Sequence, residues 1–248
     1  MPVALIAGAS RGIGRATAIH LATLGFSTYV AADGTAEQLA ATESACRAAG
    51  APDAAHGMFD LAQHGNAERM AQSALAHFGR IDALVNVAGL RCQKNFGDFT
   101  QTDFNLLMAV NVGAAFFASQ AVLPAMRAQG GGRIVHVASQ MGSVAAPLNT
   151  IYGMTKAALI RLAKSMALEL SVDNILVNTI SPGPIDTDFI KARYAGDTEA
   201  RAAMEARIPI GRFGTEEEIA EVIGFLATCK GRFLQGADLI VDGGYVIH

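Results

Sequence analysis

Short apolar runs rich in β-branched residues alternate along this chain with longer Ala-rich stretches whose apolar positions recur at the helical period. Residues 3–7 read as the first strand and residues 12–24 as the helix after it. The alternation continues as strand 28–32, helix 36–49, short strand 56–59 and helix 66–78. Residues 83–86 form the next strand, followed by a loop and a long helix ending near Arg127, which Gly130, Gly131 and Gly132 stop. Strand 133–138, helix 151–170 and strand 175–180 come next. Helix 215–228 is opened by Thr215 with Glu218 three residues on, a capping box, and a strand over 239–241 closes the series.

The strand runs are apolar on both faces, which predicts a parallel sheet covered on both sides by the intervening helices. Right-handed crossovers then give a single doubly wound α/β sheet of the Rossmann-like kind. No linker, repeat or low-complexity tract interrupts it, so residues 1–248 read as one domain. Residues 184–213 break the rhythm. Turn residues Pro182, Gly183 and Pro184 open a mixed helical stretch that Pro209 and Gly211 end, and it reads as a small substrate lid beside the strand ends.

Ala7-Gly8-Ala9-Ser10-Arg11-Gly12-Ile13-Gly14 follows a predicted strand and opens a predicted helix. Glycines there permit a tight turn and close backbone approach to a pyrophosphate seated at the helix N-terminus. The spacing is Gly-x-x-x-Gly-x-Gly rather than the commoner Gly-x-Gly-x-x-Gly. Further on, Ser139 is followed thirteen residues later by Tyr152, and Lys156 lies four residues beyond. Tyr152 and Lys156 therefore share one helix face. A free Tyr, with a pKa of about 10, is a poor base at neutral pH, and a nearby ammonium lowers that value.

On these residues the chain resembles the short-chain dehydrogenase/reductase family, nearly end to end. The family's Thr-Gly-x-x-x-Gly-x-Gly appears with Ala7 in place of Thr, and its Asn-Asn-Ala-Gly appears as Asn86-Val87-Ala88-Gly89. The tail Val241-Asp242-Gly243-Gly244-Tyr245 also matches. The resemblance implies a catalytic set of Asn111, Ser139, Tyr152 and Lys156. In it Tyr152 moves the proton, Ser139 holds the substrate oxygen, Lys156 also meets the nicotinamide ribose, and Asn111 holds a relay water. For the cofactor it implies Gly8, Ser10, Arg11, Gly12, Ile13 and Gly14 at the phosphates and the pair Asp60 and Leu61 at the adenine. It places Asn86, Ala88 and Gly89 along the groove, with Pro182, Gly183, Ile185 and Thr187 beyond the sixth strand. It also implies a homotetramer, with the segment ending at His248 near a neighbour.

The cofactor is NAD or NADP. Asp33 stands nineteen residues after Gly14, where an acid can hold a ribose 2′-hydroxyl and reject a 2′-phosphate. Arg11 points the other way. No second cation follows Asp33, which tips the reading toward NAD. Candidate substrate walls are residues 90–94, Gln140, Met141, 145–149 and 189–194, within which Arg91 and Lys94 are cations that could meet an anion. Cys92 reads as a bystander and His136 as a packed strand residue.

Composition narrows the field. Hydrophobic residues make up 51% and charged residues 17%, which suits a large core. A net charge of −3 gives no case for nucleic acid or an anionic membrane surface. The longest apolar stretches, 6–9, 83–87 and 110–117, fall well short of the ~20 residues of a membrane span. The N-terminus reads as a strand and not as a signal peptide. Cys46, Cys92 and Cys229 form neither a disulfide framework nor a zinc pattern, so a cytoplasmic, metal-free protein is expected. The leading function is hydride transfer between a nicotinamide cofactor and a secondary alcohol or ketone of small size. The alternatives are an NADPH-using 3-oxoacyl thioester reductase and a non-catalytic cofactor sensor on the same fold.

Overall fold

A computed structural model describes residues 1–247, with Phe189 described by its backbone alone. The expectations attached to His248 and to the Phe189 side chain lie outside the described residues. The strands are β1 (Val3–Ala7), β2 (Ser27–Ala32), β3 (Ala54–Met58), β4 (Ala83–Asn86), β5 (Gly132–Val137), β6 (Ile175–Pro182) and β7 (Asp238–Val241). The helices are α1 (Gly12–Thr23), α2 (Ala36–Ala48), α3 (Asn66–Phe78), α4 (Gln101–Met108), α5 (Ala114–Ala128), α6 (Thr150–Leu170), α7 (Asp188–Arg193), α8 (Thr198–Glu205) and α9 (Glu216–Thr228). The strands form one sheet in the order β3-β2-β1-β4-β5-β6-β7, and every neighbouring pair is parallel.

Strand periodicity divides the core between the two faces. Ala4 and Ile6 of β1, Val30 of β2 and Val85 of β4 point to one side and pack with Leu21 of α1, Leu39 of α2 and Ile219 and Ile223 of α9. Leu5, Tyr29 and Leu84 point to the other and pack with Met70 of α3, Val122 of α5 and Ala163 of α6. Leu5, Ile6 and Leu84 are fully buried, each contributing roughly 1.5–3 kcal/mol by leaving water. With both faces covered, the alternation predicted for a half-exposed sheet is absent.

Local signals set the element ends. Thr215 Oγ1 accepts from Glu218 N at 3.2 Å and Glu218 Oε2 accepts from Thr215 N at 2.8 Å, the predicted capping box. Gly130 and Gly131 take φ of +87° and +143° after α5, where a side chain would be strained. One prediction needs correcting. The long helix before Arg127 is two helices joined by a π-helical turn over Ala109–Gly113, and Asn111 sits in that turn. The wide turn lets the Asn111 side chain bind the backbone of residue 90 in place of continuing the helical register (π turns of this kind cluster at functional sites).

The same run, Gln101–Ala128, is long and apolar enough to cross a membrane by length and composition. In its most apolar 18-residue window 44% is buried, and its α5 portion packs against α3, as a core helix does. Residues 184–213 carry the short helices α7 and α8, tied back where Arg201 Nη1 donates to Asp186 Oδ1 at 2.9 Å.

Candidate active site

β1 pairs with β2 on one side and β4 on the other, so the chain reverses direction across the sheet between them. A crevice opens at such a point outside the carboxyl ends of the strands. Here it is a cavity of about 840 Å³, bordered among others by Gly12, Gly89, Ser139, Tyr152, Lys156 and Pro182. Arg11, Ile13, Gly183, Ile185 and Thr187 also border it.

One end of the cavity suits an anion. Arg11 is the N-cap of α1, and neither it nor any acid in the first turn caps that end. The first N–H groups of α1 are therefore left for a ligand beside the cavity wall of Arg11, Gly12 and Ile13. Gly12, at φ +63°, has open space where a side chain would stand, whereas Gly8 and Gly14 are packed against backbone. This is a cradle of the size and polarity that a pyrophosphate needs, and the cavity runs on from it along Val87 and Gly89 to Lys156. The chain thus fits an elongated dinucleotide. Arg11, Gly12 and Ile13 would hold its phosphates and Lys156 would face its nicotinamide half.

The other end carries the chemistry. α6 presents Tyr152, half-buried, and Lys156, only 3% exposed, on one face. Lys156 Nζ donates to Val137 O at 2.8 Å and lies 5.7 Å from the Tyr152 ring centre. Burial brings the Lys156 ammonium down to about 8. Burial also pushes the Tyr152 phenol up, opposed by a hydrogen bond with Ser139 and by the charge of Arg91. Arg91, with its Cζ 5.6 Å from the Tyr152 ring centre, is a second cation beside the phenol, at much the same distance as Lys156 Nζ, which is directed to a carbonyl.

Asn111 is 1% exposed and fully engaged: Oδ1 accepts from Leu90 N at 2.7 Å, and Nδ2 donates to Leu90 O at 2.9 Å and to Thr155 Oγ1 at 3.0 Å. Thr155 Oγ1 donates in turn to Tyr152 O at 2.8 Å. Asn111 therefore ties the loop after β4 to the turn of α6 that carries Tyr152.

Several predicted residues stand off the cavity wall. Gly8, Gly14 and Ala88 lie beneath it, with Gly8 against Ala88, and Ser10 packs beside Gly34. Asn86 is 5% exposed and its Nδ2 donates to His136 Nδ1 at 3.1 Å. Asp33 is exposed at the end of β2. Asp60 accepts from Ala62 N at 3.0 Å and from Gln63 Nε2 at 3.3 Å, and Leu61 belongs to the core, so local structure accounts for both. Lys94 is turned away to Asp103, at 2.6 Å, and holds that carboxyl well below the usual range. Sequence reasoning missed Thr155 and Arg207, and took in Asn149 and Arg193 only within the wall ranges 145–149 and 189–194. None of them belongs to a motif, and only the fold brings them to the site.

His136 is fully buried on β5, and its Nε2 has no partner among the described residues. Burial first, and the Lys156 charge second, take its pKa from 6.5 to about 4. A depressed folded value means that the stability is complete above the unfolded value and is lost as pH falls through the folded one. Between pH 6.5 and about 4 the wild type should lose on the order of 3 kcal/mol through this group. His136→Gln should lack that loss, so denaturation at pH 7 and pH 4.5 should show the difference between wild type and variant changing by about that amount.

The fold and the cavity define a dinucleotide-binding α/β protein with Ser139, Tyr152 and Lys156 together on the cavity wall. A family model described as enoyl-(acyl carrier protein) reductase matches residues 8–246. The chain is 34% identical to an L-rhamnose 1-dehydrogenase (NAD(P)(+)) of Azotobacter vinelandii, over 98% of this chain and 96% of that one. It is 35% identical to a 3-oxoacyl-[acyl-carrier-protein] reductase of Thermotoga maritima, over 99% and 98%. It superposes on a short-chain dehydrogenase/reductase from Serratia marcescens with a TM-score of 0.91 and 34% identity, covering 98% of this chain and 97% of that one. The chain belongs to the short-chain dehydrogenase/reductase family and is an NAD(P)-dependent oxidoreductase.

Proposed function

We propose that this protein interconverts a secondary alcohol and a ketone, with Tyr152 as the general acid and base. The observation that carries the reading is the grouping of Tyr152, Ser139 and Lys156 on one wall of the cavity, with Ser139 bearing on the phenol. The nicotinamide cofactor, when bound, supplies or accepts the hydride. The protein supplies position and charge. Ser139 holds the substrate oxygen at the Tyr152 hydroxyl. In oxidation the phenolate takes the hydroxyl proton, and in reduction the phenol returns it to the carbonyl oxygen. Lys156 spends one N–H on Val137 O, which leaves N–H groups for ribose hydroxyls. Asn111 fixes Leu90 and, through Thr155, the Tyr152 turn. Residues 184–213 act as the lid of one catalytic domain spanning the chain, closing over bound substrate.

The preferred cofactor in this reading is NAD. Asp33, exposed at the end of β2, would accept from the ribose hydroxyls and repel a 2′-phosphate. Asp33→Ser is expected to lower the NAD-to-NADP ratio of kcat/KM by about tenfold or more, equivalent to roughly 1.4 kcal/mol. An unchanged ratio would remove Asp33 from selection. Exposed Phe104, Phe116 and Phe117 on α4 and α5 and Leu168 on α6 suit burial against further copies, in keeping with a homotetramer. Sedimentation of a concentration-independent monomer would contradict that assembly.

A second reading, an NADPH-dependent 3-oxoacyl thioester reductase, is favoured by the Thermotoga maritima relative. One absorbance screen at 340 nm separates the two. It pairs NAD and NADP with alcohols, sugars and polyols, and NADH and NADPH with ketones and acetoacetyl thioesters. Carbinol turnover supports the first reading. Turnover of thioesters alone supports the second. Cofactor binding with no turnover in any class counts against both.

A further inference from the structure

Arg91 is anchored on the cavity wall and forms no ion pair among the described residues. It follows Leu90, whose N–H and C=O are both held by Asn111. Its Nε donates to Asn149 Oδ1 at 2.7 Å. Asn149 is 4% exposed, is braced where its Nδ2 donates to Pro147 O at 2.6 Å, and follows Leu148, which holds the left-handed φ of +65°. A leucine in that region is strained and persists only where the surroundings impose it. With Nε engaged, the two terminal nitrogens of the guanidinium fork remain for a ligand.

The cations around it are satisfied differently. Lys94 pairs with Asp103, Arg201 with Asp186 and Glu205, and Arg212 with Glu218, whereas Arg91 makes no ion pair among the described residues. It is nevertheless partly buried, and burial lowers its pKa. An unpaired, partly desolvated guanidinium is costly, and an anion would offset that cost. Arg193 and Arg207 border the same cavity, their guanidinium carbons 5.7 Å and 5.2 Å from the ring centres of Tyr194 and Tyr245. The acidic residue of that wall, Asp188, faces Lys191 at 3.8 Å. The wall therefore presents net positive charge to whatever enters.

We propose that the substrate is a short-chain hydroxy acid or its oxo counterpart, with its carboxylate held by the Arg91 fork and its carbinol carbon a few bonds away beside Tyr152. This rests on the alcohol–ketone reading above. A carboxylate is chosen over a phosphate because the Arg91 guanidinium carries a single positive charge, which balances a monoanion, whereas a phosphate carries about −1.5 to −2 at pH 7. Arg193 and Arg207 add long-range attraction at the mouth.

The test uses matched pairs: short 2- and 3-hydroxy acids beside their methyl esters, and glycerol 3-phosphate beside glycerol. Wild type, Arg91→Met and Arg91→Lys are assayed with NAD and with NADP, and each protein is titrated calorimetrically with the acids. The wild type should prefer an acid to its ester. Arg91→Met should collapse that preference about 10- to 100-fold, the worth of charge-assisted hydrogen bonds, and mainly through KM. Arg91→Lys should recover only part of it.

Equal use of acid and ester overturns the proposal, as does preference for the phosphate. Loss of acid and ester turnover alike through kcat in Arg91→Met, with a shifted pH profile, would assign Arg91 to poising Tyr152 and overturn it too. Turnover of neutral carbinols without acids would sink the carboxylate site and leave the alcohol–ketone reading intact. Should no carbinol of any kind react, that reading itself fails, and the titrations still decide the site: acid binding lost in Arg91→Met supports it, and absent binding refutes it.

Discussion

Tyr152→Phe is expected to lower kcat by about 10³-fold or more while leaving the dissociation constant for the nicotinamide cofactor within about twofold. The substitution removes one hydroxyl and keeps the ring, so the contacts of Arg91 at 5.6 Å and Lys156 at 5.7 Å from the ring centre should survive. Positioned proton transfer is worth roughly 10²–10⁴-fold, and no other described side chain in the cluster can take its place. Ser139 is a far weaker acid, and Lys156 is directed at Val137 O. Fluorescence titration with NADH and the 340 nm assay read the two quantities separately. Wild-type-like turnover by the variant would end the mechanism. Loss of cofactor binding along with turnover would mean that the ring, and not the hydroxyl, was being tested.

The direction of the phenol's pKa gives this prediction a second arm. Burial raises it, and Ser139 and Arg91 oppose that rise. In the proposed mechanism alcohol oxidation needs the phenolate, so its rate should climb with pH through the pKa of Tyr152. Ser139→Ala removes one of the opposing influences and should move the climb to higher pH. A profile displaced to lower pH would show that Ser139 does not favour the phenolate.

The sheet was readable because both of its signals are local. Runs such as Leu5 and Ile6 are apolar on successive residues, which only a strand buried on both faces requires, and Thr215 with Glu218 names a helix start from four residues. β3 was read two residues late, as 56–59 in place of Ala54–Met58. It is an edge strand, with Met58 63% exposed, so its pattern carries less of the apolar signal. The π turn at Asn111 left no mark in the sequence, because its cause is a hydrogen-bonded partner, Leu90, twenty-one residues away. The site divides in the same way. Ser139, Tyr152 and Lys156 lie close along the chain and announce themselves, whereas the support of Arg91 by Asn149 spans fifty-eight residues and exists only after folding. Lys94 and Arg91 were indistinguishable as loop cations. What separates them is that Asp103 is near one and no acid pairs with the other among the described residues.

Two glycines of the turn after β1 should respond to alanine in opposite ways, because one is packed against backbone and the other borders the cavity with no close neighbour. At Gly14 an added Cβ would stand 2.0 Å from Gly8 O and 2.8 Å from Gly8 C. Gly8 cannot retreat. Its N–H donates to Ala31 O at 2.7 Å, and the position its own Cβ would take is 2.6 Å from Ala88 N. Ala88 is itself held where its N–H donates to Ala7 O at 2.9 Å. The overlap must therefore be relieved by shifting β1, β2 and the chain after β4 together. Gly14→Ala is expected to cost about 3–5 kcal/mol of folding stability, beyond the usual range for overpacking because the neighbour is backbone. At Gly12 the nearest atom to an added Cβ is Glu216 Oε1 at 3.7 Å. Only the left-handed φ of +63° resists, at roughly 1–2 kcal/mol. Gly12→Ala should fold, and because Gly12 borders the cavity at the start of α1, the change should weaken cofactor binding more than stability. Denaturation curves and NADH titrations on both variants check the pair. A Gly14→Ala protein as stable as wild type would mean that the turn yields, and the rigid cradle argued from these contacts would be wrong.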